Sequence, residues 1–256
     1  MSPRRTVAMT RHNTRLLLTD PGPIIVTTLM PVVLMAFLQG MGQSVLMSEG
    51  FTEATGAEQV VPGMAVLFSL FGVIYLGMAF FQEHGWGTWD RLRSSRATSI
   101  EILISKMLPP AAVILVQTVA LFAAGSLLFD MEVTGSIPAL ATMIVTMTVL
   151  LVALSMLCVA VFKTINQLSS ATNVGAMILG GLGGALAPMS VLPDWAQTVA
   201  PISPAFWALK GFRSVILEGG GMTSIVAPVA LLLGISVAVT VVAATRFRFT
   251  DEKVWS

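Results

Sequence analysis

Between two long apolar runs the chain carries FFQEHGWGTWDRLRSSRATSIEILISK, residues 80–106, a stretch with charges of both signs. Gln82, Glu83 and His84 leave the first run, and Gly85 and Gly87 permit a sharp turn. Thr88 is placed to cap a short helix through Trp89, Asp90, Arg91, Leu92 and Arg93. Trp86, Trp89 and Leu92 recur at every third position, which on a helix makes one apolar ridge flanked by charge. The chemistry open to such a ridge is recognition: it suits a groove on a partner protein. The lipid–water interface is the other setting in which Trp and Arg are at home. Bond-making chemistry finds no support. His12 and His84 lie in separate segments, and the single cysteine, Cys158, sits in an apolar run and offers neither an intrachain disulfide nor a metal cluster. Neither G-x-S-x-G nor H-E-x-x-H occurs. No catalytic, metal-ligating or cofactor-binding residue is therefore expected in this chain.

The elements that must position this stretch are membrane-length. The chain is 55% hydrophobic and 11% charged, with a mean hydropathy of +0.86. Soluble domains carry about 25% charged residues, so this is an integral membrane composition. A net charge of +1 gives no footing for a nucleic-acid partner. A hydrocarbon core takes roughly 20 apolar residues per helix, and six runs meet that length: Ile24–Leu46, Val60–Phe81, Ile102–Phe129, Ile137–Phe162, Leu168–Ala187 and Ser224–Thr245. The expectation is an all-α membrane protein of six transmembrane helices in one domain, residues 1–256.

Lysine and arginine set the orientation. With six spans, one side holds Arg4, Arg5, Arg11, Arg15, Arg91, Arg93, Arg96, Lys106, Lys163, Arg246, Arg248 and Lys253, and the other holds Lys210 and Arg213. Twelve against two places both termini in the cytoplasm. The N-terminus does not read as a cleavable signal: four arginines are spread through its first fifteen residues, and the apolar run that follows is too long. Arg4, Arg11 and Arg15 share one helical face and Met9, Leu16 and Leu17 lie more nearly opposite, as in an interfacial helix over residues 4–20; a disordered basic tail is the alternative. Asp20-Pro21-Gly22-Pro23 ends it.

Residues 188–222 are too broken by proline for a span and too apolar for a free loop. Val191, Leu192, Trp195, Val199, Phe206, Trp207 and Phe212 suggest short helices dipping into the outer leaflet, or an interfacial helix with Trp anchors. Polar residues within the spans are uncharged: Gln39, Gln117, Asn166, Gln167 and Asn173. That argues against a proton relay and suits a pathway for lipophilic or amphipathic molecules. Gln117 equally fits an interhelical hydrogen bond. Ala176, Gly180 and Gly184, spaced by four, read as close helix packing, with a gate between subunits as the sharper alternative.

The pattern Glu83, Gly87-Thr88, Leu92, then Glu101 and Lys106 entering the next span, resembles the coupling loop of type-2 ABC exporter permeases. GTWDRLRS is similar to the daunorubicin-resistance and multidrug branch. Pro188-Met189, Leu192-Pro193-Asp194-Trp195, Pro201, Pro204 and Gly211-Phe212-Arg213 resemble that family's outer segment before its last helix. The polysaccharide-exporting branch carries a basic-aromatic motif before its first span, where this chain has Thr19-Asp20-Pro21-Gly22-Pro23.

The resemblance implies a subunit that pairs with a second permease, identical or homologous, and with two separate ATPase subunits that carry ATP and Mg. The function implied is export of a drug, antibiotic or lipid-like compound from the cytoplasm or inner leaflet of the cell membrane. Export of a lipid-linked glycan, or a non-transporting sensor, are the alternatives. The resemblance assigns ATPase coupling to loop 83–100, with Glu83, Gly87, Thr88, Trp89, Leu92 and Arg93, and an outer re-entrant gate to Pro188, Met189, Pro193, Trp195, Phe206 and Trp207. Asn166 and Asn173 join Gln117 as pathway candidates. No G-x-x-x-x-G-K-[ST] occurs, so ATP is expected on the partner chain.

Overall fold

A computed structural model describes residues 3–89, 91, 94–95, 97–246 and 253. Among the described residues ten α-helices follow one another: α1 (Pro3–Thr19), α2 (Gly22–Ser48), α3 (Ala57–Phe71), α4 (Val73–Gly85), α5 (Ser99–Leu128), α6 (Ile137–Val161), α7 (Ile165–Gly183), α8 (Asp194–Val199), α9 (Pro204–Ile216) and α10 (Val226–Arg246). Two 3-10 turns, Met189–Val191 and Ala200–Ile202, flank α8. The protein is an all-α membrane protein, as its composition predicts.

Local sequence explains most boundaries. Thr98 and Glu101 form a reciprocal capping box at the start of α5: Glu101 N donates to Thr98 Oγ1 at 3.3 Å and Thr98 N to Glu101 Oε2 at 2.9 Å. Thr164 caps α7 by accepting from Gln167 N at 3.2 Å, and Ser203 caps α9 just before Pro204. Gly184, at φ +90, ends α7 in the left-handed conformation that glycine adopts without penalty. It is thus the helix stop, and the close packing within α7 lies at Gly180 and Gly183. A Cβ on Gly183 would lie 2.5 Å from Ala205 Cβ, and one on Gly180 would lie 2.7 Å from Leu67 Cδ1, so α7 approaches α9 and α3 closely there.

Among the described residues five segments are long and apolar enough to cross a membrane: α2, α3 with α4 (Ala57–Gly85), α5, α6 and α10. The expected fifth span, Leu168–Ala187, appears as the shorter α7. Its first half carries Asn166, Gln167, Ser169, Ser170, Thr172 and Asn173, which dilutes its apolar content. The α3–α4 segment is mostly buried and α2 mostly exposed, so the former makes the axis of the bundle and α2 a peripheral wall. Val61, Leu76, Phe81, Leu121, Leu150 and Phe212 are fully buried around that axis.

Uncharged polar groups tie the helices together. Gln117 Nε2 donates to Thr27 O at 3.1 Å, joining α5 to α2. Ser69 and Thr118 share a hydrogen bond of 3.1 Å between α3 and α5, and Gln39 Nε2 donates to Phe129 O at 3.2 Å. At one end of the bundle the loops 49–56 and 129–136 meet the segment before α10. Thr134 Oγ1 donates to Ile216 O at 2.7 Å, and Ser136 N donates to Gly220 O at 3.1 Å. At the other end lie residues 86–89, residues 162–164 and Lys253, whose Nζ donates to Phe162 O at 2.8 Å.

The N-terminal helix docks on the start of α5, where Asn13 Nδ2 donates to Ser105 O at 2.8 Å. Arg4, Arg5, Arg11 and Arg15 are exposed while Met9, Leu16 and Leu17 are half-buried, so the arginine face points away from the bundle. Residues 188–222 do form short helices, but α9 is part of the core. Its Ala205, Ala208, Phe212, Val215 and Ile216 are buried, and Phe212 packs 5.0 Å from Phe122, centroid to centroid.

Candidate functional site

The loop between α4 and α5 hangs on Glu83. This residue lies near the end of α4, and its Oε1 accepts from Lys106 Nζ at 2.7 Å. Lys106 sits on α5 with 2% exposure; its Nζ also donates to Ala79 O at 3.1 Å and lies 5.9 Å from the Phe80 ring centroid. A lysine this deep in an apolar helix is tolerated because a carboxylate and a carbonyl replace its water. Thr88 Oγ1 donates to the other oxygen of Glu83, and Thr88 N donates to Glu83 O at 3.0 Å. One carboxylate therefore fixes α4, α5 and the first turn of the loop.

The turn is made by Gly87, at φ +65, which has open space around the position a Cβ would take. Backbone conformation, not crowding, calls for glycine there. This turn corrects the expected ridge. α4 ends at Gly85 and Trp86 is its C-cap, so Trp86 and Trp89 do not belong to one continuous helix and the three-residue spacing does not align them. Trp86 is 56% exposed, whereas Trp89 is 6% exposed and folds back on the bundle. It stacks on His84 at 4.5 Å and meets Phe80 at 6.4 Å, and His84 Nδ1 lies 2.9 Å from Phe80 O. Trp89 is thus an internal brace, and Trp86 is the aromatic presented outward. Leu92 and Arg93, with Asp90 and Arg96, lie outside the described residues.

Lys106, which belongs to the coupling-loop resemblance but not to the ridge, is the residue that holds Glu83. A lysine near the start of an apolar run signals a need for a partner, but its match is 23 residues away on another helix. The same pair faces a crevice of about 270 Å3 beneath α1, lined by Met9, His12 and Asn13.

At the opposite end the structure gathers a second polar group. Arg213 Nη2 donates to Glu49 Oε2 at 2.6 Å; its Nε lies 3.8 Å from Glu218 Oε1 and its guanidinium 5.5 Å from the Phe51 ring centroid. Burial alone would raise the Glu49 carboxyl, but the Ser190 hydroxyl and Arg213 outweigh it and hold the pKa below its ordinary value. Met189 and Phe206 line a cavity beside this pair. Pro188 is buried, Pro193 and Trp195 are exposed, and Trp207 donates from Nε1 to Pro201 O at 2.9 Å with its ring edge-to-face on Phe206 at 5.3 Å. Asn166 and Asn173 are exposed on one face of α7, with Ser170 between them, whereas Gln117 is buried.

Among the described residues no three His, Cys, Asp or Glu side chains come together as a metal site. Neither a curated protein nor a solved structure matches the chain. A protein-family model described as ABC-2 type transporter matches residues 4–217.

Proposed function

This chain belongs to the ABC-2 type transporter family, and from that membership we propose that it is the permease of an exporter that moves lipophilic or amphipathic compounds out of the cytoplasm or inner leaflet. It is a multi-pass membrane subunit of an ABC transporter, not an ATPase, and its family works with ATPase partners. In the proposed assembly two ATPase subunits, carrying ATP and Mg, dock on the loop of residues 83–100. A second permease, identical or homologous, completes the membrane part. The bias of twelve lysines and arginines against two favours a cytoplasmic loop and cytoplasmic termini in the cell membrane. The similarity of GTWDRLRS to the daunorubicin-resistance branch favours a drug or antibiotic as cargo.

The observation that carries this reading is the exposed stripe of α7. Asn166, Ser170 and Asn173 recur at helical spacing and face away from the chain's own core. A polar stripe facing lipid is costly, so such a stripe belongs against water or another subunit. Val174, Met177 and Ile178 are exposed beside it, giving a surface both apolar and hydrogen-bonding, which suits an amphipathic cargo. The test is reconstitution with a cognate ATPase and a fluorescent amphiphile. Asn166→Leu with Asn173→Leu should abolish ATP-driven movement while ATPase docking persists. Transport at the unaltered rate would overturn the pathway assignment.

A further inference from the structure

Helices α5 and α10 both pack on α6 but barely on each other. They leave a slot of about 240 Å3 at the end of the bundle that carries the 83–100 loop. Ser99, Ile100 and Ala244 are exposed and form its mouth, while Phe80, Met107, Val159 and Ala243 are buried and form its floor. On α5 the lining residues Ser99, Leu103 and Met107 follow at intervals of four, so they make one stripe along the helix. At the rise of an α-helix that stripe is about 12 Å long. The slot therefore runs lengthwise beside two membrane spans. Spread over that length, its volume corresponds to a cross-section of about 20 Å2, the width of one extended hydrocarbon chain. No charged residue lines it, and Ser99 supplies its one polar side chain. The surface around the mouth is apolar too: Ile100, Ile104 and Leu108 on α5 and Val241 and Val242 on α10 are exposed. Arg246 follows Ala243 by three positions, one turn beyond the mouth on the same side of α10.

We propose that this slot holds one acyl chain of a membrane phospholipid, with the chain end against Phe80 and Met107 and the phosphate at the level of Arg246. Water is a poor filling, because an apolar cavity offers it almost none of the hydrogen-bond partners it needs. An empty slot forfeits the dispersion contacts of its own walls. Lipid chains border both spans, lie parallel to the slot and match its width, and the apolar rim opens it toward them. Arg246 serves the phosphate that every phospholipid carries, so the site is defined by the chain and not by the net charge of the headgroup. It stands on the packing of α5, α6 and α10 and holds whatever the transported compound is.

Photolabelling reads the slot directly. The full-length protein in a nonionic detergent would be irradiated with phosphatidylcholine carrying a diazirine near the end of one long chain, and the labelled residues located by peptide mass. Label should appear at the floor, on Phe80, Met107 or Val159, and unlabelled long-chain phosphatidylcholine should compete it away. Dihexanoyl phosphatidylcholine, whose chains are too short to reach the floor, should not compete. Ala244→Trp narrows the mouth at an exposed position, so floor labelling should be lost while the exposed face of α2 is labelled as before. Ile100→Trp closes the mouth from the opposite rim and should do the same, so the result does not hang on the folding of one variant. Absence of floor label in the wild type, floor label that survives both substitutions, or equal competition by the short-chain lipid would each overturn the proposal.

Discussion

Glu83 and Lys106 show how a single pair organises the end of the bundle. Removing one partner leaves the other charge buried, which costs about 3–5 kcal/mol. Lys106→Met and Glu83→Gln should each lower the unfolding temperature of the purified protein markedly. The double variant should recover part of the loss, because no uncompensated charge remains; a double variant as unstable as the sum of the singles would mean that the pair does not interact. Glu49 gives a pH signature at the opposite end. Its folded pKa lies below the ordinary 4.5, so the folded state binds the proton less readily than the unfolded chain. Its stabilising contribution is complete above the unfolded value and is lost as pH falls through the folded value. The difference in melting temperature between the wild type and Glu49→Gln should be flat from about pH 7 to pH 5 and shrink below about pH 4.5. A difference that grew on acidification would contradict the clamp.

At the scale of elements, the loop after α4 separates two tryptophans by function. Trp89 is packed between His84 and Phe80, and Trp89→Ala should destabilise the fold by about 3–5 kcal/mol. Trp86 is exposed, so Trp86→Ala should leave unfolding unchanged while reducing co-purification of the ATPase. Equal thermal stability of the two variants would place both rings at the surface. The close approach of α7 to α9 makes a similar test. A Cβ on Gly183 meets both Ala205 Cβ at 2.5 Å and Phe206 N at 2.7 Å, so Gly183→Val must spread the helices. A cost of about 1–3 kcal/mol or more is expected, read as a lower melting temperature.

For the whole molecule the decisive measurement is sidedness. On a Cys158→Ser background, Glu53→Cys and Asp194→Cys should react with an impermeant thiol reagent added outside intact cells, and Ser95→Cys and Lys163→Cys should not. All four positions are exposed in the folded chain, so a failure to label reports the membrane rather than burial. Labelling of Ser95→Cys from outside would overturn both the orientation and the docking of an ATPase on the 83–100 loop.

The all-α membrane fold was legible in the sequence because apolar length and helix caps are local. The runs that became α2, α5, α6 and α10 and the arginine face of α1 all follow from residues close in sequence. The polar content of α7 was equally visible, and it is the reason this helix falls short of the others in apolar character. Tertiary structure decided what depends on distant partners. Gly87 turns the chain between Trp86 and Trp89, and only the packed bundle sets which ring goes inward. The Glu83–Lys106 pair and the Arg213–Glu49 clamp join residues far apart in sequence. The burial of α9 has the same origin: proline and glycine around it spoil the pattern of a span, yet its apolar face finds α3, α7 and α10 once the chain has folded. Periodicity records which side of a helix is apolar, whereas the identity of the surface that covers it is fixed by contacts that no local pattern contains.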